Sequence, residues 1–528
     1  MKNNNIKIII LIVSTVFFSS CLDHLDRFPP NDTIGENVYE TYEGYIGAIA
    51  KVYSAYALTG NEGPSGKPDI DGLDEGSYAD FLRMYFNHQV LPTDEAHCIW
   101  QDEGIPGMNS INFSADNPFT KGMYNRCITQ IMFTNEFLRN ATGNTGFTDN
   151  QMKEVAAFRA EARFLRAFQY WVLMDLFGNP PFVDEYSNLS ELATQISRSD
   201  LFDYIEKELV ELSDGGLLKD ARANEYGRAD KVAAWALLAR MYLNAEVYIG
   251  TAKYSEAASY ADKVIKAGYS LKGNYEHLFL ADNNLNNPEV ILSINYDGER
   301  TRNYGGSTFL INCGSNVDYQ ELYKDILISY GLFDNANWSG YRARKQFSEK
   351  FENSDKRFMF VGENISIENP VEYKEGLATY KWRNIKSTGG YGNHMTYADN
   401  DFPLFRLAEM YLTYAEAVKR GGNGSPNEAL GHMNQLRERA FGNNSKNYAS
   451  FNDVTLNEIL NERGRELYWE AHRRTDLIRH GLFIGSSYIW EWKGGVRDGR
   501  SVSSHYSLYP IPSTDIMANP NLKQNPGY

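Results

Sequence analysis

The residues best equipped for chemistry crowd the stretch KPDIDGLDEG, where Asp69, Asp71, Asp74 and Glu75 stand close together. A pair of carboxylates at a suitable separation hydrolyses glycosides, so a hydrolytic reading would use Asp71, Asp74 or Glu75. The D-x-D-G start is also the opening of a calcium loop, but the closing bidentate Glu of an EF-hand is missing. Calcium is therefore the one cation the cluster would suit, and no residue is assigned as a metal ligand. A third use is plainer: carboxylates accept hydrogen bonds from ligand hydroxyls or from loop backbone. Other catalytic signatures are lacking. The chain has no G-x-S-x-G elbow, H-E-x-x-H pair, P-loop or convincing G-x-G-x-x-G. Its nine histidines are scattered. The expectation is a protein that binds and does not catalyse, without a cofactor.

Cys21 is the other reactive position. Lys2 and Lys7 precede an apolar stretch from Ile8 to Phe18, and Ser19-Ser20 lead into the cysteine. A membrane-spanning helix needs roughly 20 apolar residues, and this stretch is about half that, so residues 1–20 read as a secretory signal peptide. Small residues directly before Cys21 look like the lipobox of bacterial lipoproteins, which makes Cys21 the acylated first residue of the mature chain. Acyl chains would then anchor the protein, since each buried CH₂ contributes about 0.8 kcal/mol. A net charge of -16 argues against nucleic acid and against adsorption to anionic lipid. Cys98, Cys127 and Cys313 match no zinc spacing, and although one disulfide is permitted outside the cytoplasm, none is predicted.

The elements that must position a site are mostly helical. Lys153 to Phe177 has helical apolar spacing and stops at Gly178 and Pro180; Asp200 to Ser213 is a second helix, with Ser199 or Asp200 as cap. RADKVAAWALLARMYLNAEVY with KYSEAASYADKVIKAGY, and FRLAEMYLTYAEAVKRGG with SPNEALGHMNQLRERA, form two echoing helix pairs. Small residues followed one turn on by an aromatic are how tetratricopeptide-like hairpins pack. Thr455 to Ile478 reads as one further helix whose run NERGRELYWEAHRRTDLIRH predicts i,i+4 ion pairs between packed layers. Between the helices lie polar tracts, Thr59 to Gly122, Asn274 to Asn335 and Glu363 to Asp401, with Glu289 to Asp297 the clearest strand. Long aromatic-bearing loops in a compact chain are usually functional.

EARFLRAFQYWVLMDLFGNPPF, GRADKVAAWALLARMYLNA, FPLFRLAEMYLTYAEA, ERGRELYWEAHRRTDLIRHG and YPIPSTDI…NPNLKQNPGY, following the lipobox cysteine in order, resemble the SusD/RagB outer-membrane lipoproteins of Bacteroidetes over essentially the whole chain. The resemblance implies a mainly α fold: a tetratricopeptide-like scaffold (mainly 150–270 and 400–480), a loop-rich irregular binding region (mainly 60–122 and 295–400) and few short strands, all within one unit from 21 to 528. The loops KPDIDGLDEG, VLPTDE, RTRNYGGSTFLINCG, YKWRN and YIWEWKGGVRDGRSVSSHYSLYPIP are similar to those of the family's starch-binding founding member. Carried over motif by motif, its three-ring starch site implies Trp100, Tyr304 and Trp338 as the aromatic arc, with Arg83 and Asp74 as polar partners and Glu103 in place of an asparagine. The segment FLADNNLNNPEV is shorter and less acidic than that member's, which weakens any carried-over metal site.

The chemistry suits a sugar. A pyranose stacks its C–H face on an aromatic ring while its hydroxyls seek polar partners, and the planar fork of an arginine donates to vicinal hydroxyls. The function implied by the resemblance is surface capture of starch or maltooligosaccharides at the outer membrane, beside a TonB-dependent SusC-like transporter. The alternatives are another glucan or a fructan on the same architecture, and a secreted α-glucan hydrolase.

Overall fold

The structure is a computed structural model that describes residues 38–74, 78–314 and 338–528; Cys21, the leader before it and Glu75 lie outside the described residues. The elements that frame the site, in chain order, are helix α1 (Tyr42–Ser54), α2 (Phe81–Val90), strand β1 (Ala96–Cys98), α3 (Pro118–Asn140), α4 (Asp149–Phe177), α5 (Arg198–Ser213), α6 (Lys231–Leu243), α7 (Tyr254–Ile265), β2 (Val290–Ile294), α8 (Gly306–Gly314), β3 (Tyr341–Ala343), β4 (Phe402–Arg406), α9 (Leu407–Lys419), α10 (Pro426–Phe441), α11 (Leu456–Leu467) and α12 (Arg473–Arg479). Among the described residues every sheet has two strands; β1 pairs antiparallel with β3, and β2 with β4. The fold is mainly α, with few short strands, as expected.

Local chemistry sets the helix ends. Thr148 and Gln151 form a reciprocal capping box at the start of α4, satisfying two orphan backbone donors. α5 begins earlier than the sequence suggests: Ser197, and neither Ser199 nor Asp200, caps it by accepting from the Asp200 N–H at 3.1 Å. Ser197 wins because its own hydroxyl also reaches the Asp200 carboxylate at 2.6 Å. The tract Thr59 to Gly122, read as loop, contains α2 and the start of α3. α2 hides its helical signal because every one of its residues is buried, so no polar face interrupts the pattern.

The two echoing helix pairs interlock. α7 packs on both α6 and α9, and α9 on α10. Buried Ala257, Ala258 and Ala261 on α7 let the backbones approach. Arg240 and Glu409 occupy matching positions in Ala-Arg-Met-Tyr-Leu and Ala-Glu-Met-Tyr-Leu, and they meet in a buried bidentate pair, both bonds 2.7 Å. The repeat is thus joined by a charge swap at its own equivalent position.

Thr455 to Ile478 is not one helix. It ends at Leu467, turns through Trp469 (φ 58°) and Ala471 (φ 63°), and restarts as α12. Left-handed backbone at residues bearing a Cβ costs roughly 1–2 kcal/mol each, and tertiary bonds offset it. The turn frees the Trp469 N–H to donate to Glu95 at 2.6 Å and turns Glu470 onto Arg406 and Lys381. The ion pairs of this segment are accordingly long-range more than helical. Arg406 binds Glu289, Glu466 and Glu470 at 2.6 to 2.8 Å, Arg357 binds Glu462 at 2.6 Å, and Arg439 binds Glu466 at 2.5 Å. All of these carboxylates are buried.

Candidate functional site

The first turn of α2 builds one wall of the site. Asp80 caps it, accepting from the Arg83 N–H at 2.7 Å. The Arg83 guanidinium then lies 4.9 Å from the Phe309 ring centroid and 5.8 Å from that of Trp100. Arg83 is almost buried, so its cation is held by ring faces that also exclude water.

The β1–β3 ladder builds the second wall. It continues past Cys98, where the Ile99 N–H donates to the Gly340 carbonyl at 2.9 Å, and so brings Trp100 beside Trp338. Trp100 Nε1 donates to the Trp338 carbonyl at 3.2 Å, and its ring stands edge-on to Tyr341. Gly340 must be glycine for this approach, since a Cβ there would sit 2.4 Å from Trp100 Cε2. Trp338 is anchored through its N–H to the Asn312 carbonyl at 3.0 Å, at the end of α8.

Tyr304 comes from the short loop ahead of α8. Its ring centroid is 6.5 Å from that of Trp338 at 52°, and 5.5 Å from that of Tyr397 at 54°. Burial and the hydrogen bond with Tyr304 push the Tyr397 hydroxyl up to about 12. Trp100, Tyr304 and Trp338 are each half-buried, with part of the ring open. Asp74 and Glu103 are exposed at the rim. Tyr78 senses the acids there: burial first, then Asp102, Glu103 and Asp74, raise its hydroxyl, while Arg83 opposes them.

The structure therefore brings Trp100, Tyr304, Trp338 and Arg83 together and leaves Asp74 and Glu103 on the margin. Tyr397, Tyr78 and Tyr341 join the cluster without having been singled out in the sequence, where they are three among the chain's 36 tyrosines. The acidic stretch is dispersed. Asp69 pairs with Lys51 at 2.8 Å and with Arg126 at 3.6 Å, while Asp71 reaches Lys67 at 3.0 Å. Among the described residues no group of three His, Cys, Asp or Glu is placed to hold a metal ion. Cys98, Cys127 and Cys313 are buried thiols.

Some loop motifs are structural. In YKWRN, Lys381 binds Glu470 at 2.7 Å and the buried Trp382 donates to the Trp469 carbonyl. In LPTDE, Asp94 forms a bidentate pair with Arg473, both bonds 2.7 Å. These residues fix the frame and do not face the aromatic cluster.

The profile of the SusD family matches residues 288–528, and one described as starch-binding and associating with the outer membrane matches residues 93–243. The starch-binding protein SusD of Bacteroides thetaiotaomicron is 37% identical over 97% of this chain and 96% of its own length. The chain belongs to the SusD family. Members of the SusD family bind glycans and are not enzymes. SusD-like protein P25 of Formosa agariphila is 25% identical over 99% of this chain and 98% of its own length. Among solved structures, a SusD superfamily protein of B. thetaiotaomicron superposes with a TM-score of 0.70 over 92% of this chain and all of that one, at 20% identity. Surface glycan-binding protein A of the same organism, solved with laminarihexaose, gives 0.69 over 92% of this chain and 99% of that one, also at 20% identity. These two likenesses establish the SusD fold. Among the described residues, no helix is long and apolar enough to cross a membrane.

Proposed function

We propose that this protein captures starch and maltooligosaccharides at the bacterial surface, tethered to the outer membrane through Cys21, and hands them to a TonB-dependent transporter. The observation that supports the glycan class is the inclination of two half-open rings, 52° between Tyr304 and Trp338. An α-1,4-glucan curls, so successive glucose faces meet planes that turn. A flat β-1,4 chain would need coplanar rings.

Each half-open ring offers an apolar face to one sugar, and Arg83 offers N–H donors to hydroxyls beside Trp100. The stacking needs no proton transfer, and the partly buried frame keeps the rings in place before sugar arrives, which lowers the ordering cost of binding. Asp74 and Glu103 accept from hydroxyls at the rim. A weak site suffices beside a transporter, since tethering raises the local concentration of captured glycan.

Native gel retardation in amylopectin tests this reading, with maltoheptaose titration to follow. Retarded migration and uncut oligosaccharide are expected. Unretarded migration, with binding only to laminarihexaose, would shift the assignment to a β-1,3-glucan; release of glucose or maltose would instead make the protein a hydrolase.

A further inference from the structure

One carboxylate joins the α2 wall of the site to the loop that carries Tyr304 without facing the open side. Asp80 is fully buried. Its Oδ1 accepts from the backbone N–H of Arg83 at 2.7 Å and from that of Gly306 at 3.0 Å. Its Oδ2 accepts from Asn303 Nδ2 at 2.5 Å. Asn303 in turn donates to the Ala57 carbonyl at 3.0 Å and accepts from the Gly305 N–H at 2.6 Å. Tyr304 sits between the residues so held. The loop lies hard against the carboxylate: a Cβ on Gly305 would come within 2.2 Å of Asp80 Cγ. Gly306 adopts φ 58° with the Tyr296 ring behind it, so the loop has little room on its other side.

We infer that Asp80 is a positioning residue that sets the spacing between Arg83 and Tyr304, and through it the affinity of the aromatic site for its glycan. The inference rests on the function proposed above. Asp80 accepts every bond it makes, two from backbone N–H groups and one from Asn303 Nδ2, so the geometry depends on Asp80 being acceptor-only. An amide in its place presents an N–H to the Asn303 N–H, and two facing donors cannot both be satisfied. Asn303 would then have to rotate, giving up Gly305 or Ala57, and release Tyr304. The rings of a binding site must be held within about 0.5 Å of the productive arrangement.

The test compares wild type, Asp80→Asn, Gly305→Ala and the Asp80→Asn/Asn303→Asp double variant. Two readouts are taken: maltoheptaose affinity by calorimetry, and amide hydrogen exchange over residues 80–84 and 302–307 without ligand. Asp80→Asn is expected to weaken maltoheptaose binding about tenfold or more and to speed exchange in both segments. Gly305→Ala, which removes no ligand-facing group and keeps every polar atom, is expected to do the same in milder form. The double variant restores the donor–acceptor pair between the two side chains but gives up the bond to the Ala57 carbonyl, and is expected to recover only part of both. Unchanged exchange and affinity in Asp80→Asn overturn the inference, as does a folded double variant that recovers neither. If Asp80→Asn does not fold, Gly305→Ala decides by the same two readouts. Should wild type bind no glucan at all, the proposed function falls, and the clamp stands or falls on hydrogen exchange alone.

Discussion

The helical scaffold and the aromatic face are made from the same residue types, yet they use them in opposite ways. In the scaffold, arginines and carboxylates are buried and saturate one another: Arg406 touches three glutamates, and Glu466 is shared by Arg357, Arg406 and Arg439. Trp171 on α4 is sealed, as are Trp382, Trp469 and Trp490 away from the aromatic face. On the aromatic face, Arg83 lies against rings, and Trp100, Tyr304 and Trp338 keep part of each ring open. A buried charge network tolerates one arrangement only, because any unpaired member is costly. That rigidity is what a set of half-open rings needs from its support.

The contrast predicts that damage to the scaffold costs stability and damage to the face costs affinity. Glu466→Ala should have the largest effect, roughly 3–5 kcal/mol of folding stability, since it takes one carboxylate partner from each of Arg357, Arg406 and Arg439 at once. Denaturant titration measures this, and the remaining folded fraction should bind maltoheptaose normally.

Acid should strike the same network. Burial alone would raise the Glu466 carboxyl, but Arg439, Arg406 and Arg357 hold it down at about 2 against an ordinary 4.5. Its folded value is depressed, so its contribution is complete above pH 4.5 and is lost as pH falls from there through 2. The shift corresponds to roughly 3 kcal/mol. Stability curves should therefore fall steeply across that window in wild type and more gently in Glu466→Gln.

Trp100→Ala belongs to the face. It should cost roughly 1–3 kcal/mol of binding, about 5- to 150-fold in affinity, while the melting temperature moves little. A melting temperature that collapsed with affinity intact would erase the distinction between the two regions. The smallest expected effect is that of Arg83→Lys. Losing the planar fork should cost about 1 kcal/mol of glucan binding, again by calorimetry, with stability nearly unchanged.

Residue spacing alone was enough for most of the scaffold helices and the strand β2, but not for the full membership of the aromatic cluster. Helical periodicity and caps are local, so α4, the α6–α7 and α9–α10 pairs and their alanine faces were legible from spacing. Trp100, Tyr304, Trp338 and Arg83 were legible through the motifs around them. Other features depended on contacts distant in the chain. The break at Trp469 exists because Glu95 and Arg406, hundreds and tens of residues away, reward it. α2 was hidden because total burial erases amphipathic pattern. YKWRN and LPTDE look like binding loops in sequence and turn out to be struts, since only tertiary structure supplies Glu470 and Arg473 as partners. Tyr397 reached the site through a hydrogen bond to Tyr304 that no spacing encodes. The division has one physical cause: a helix is decided by neighbours three and four residues apart, whereas a binding face is decided by which distant surfaces the packed core leaves side by side.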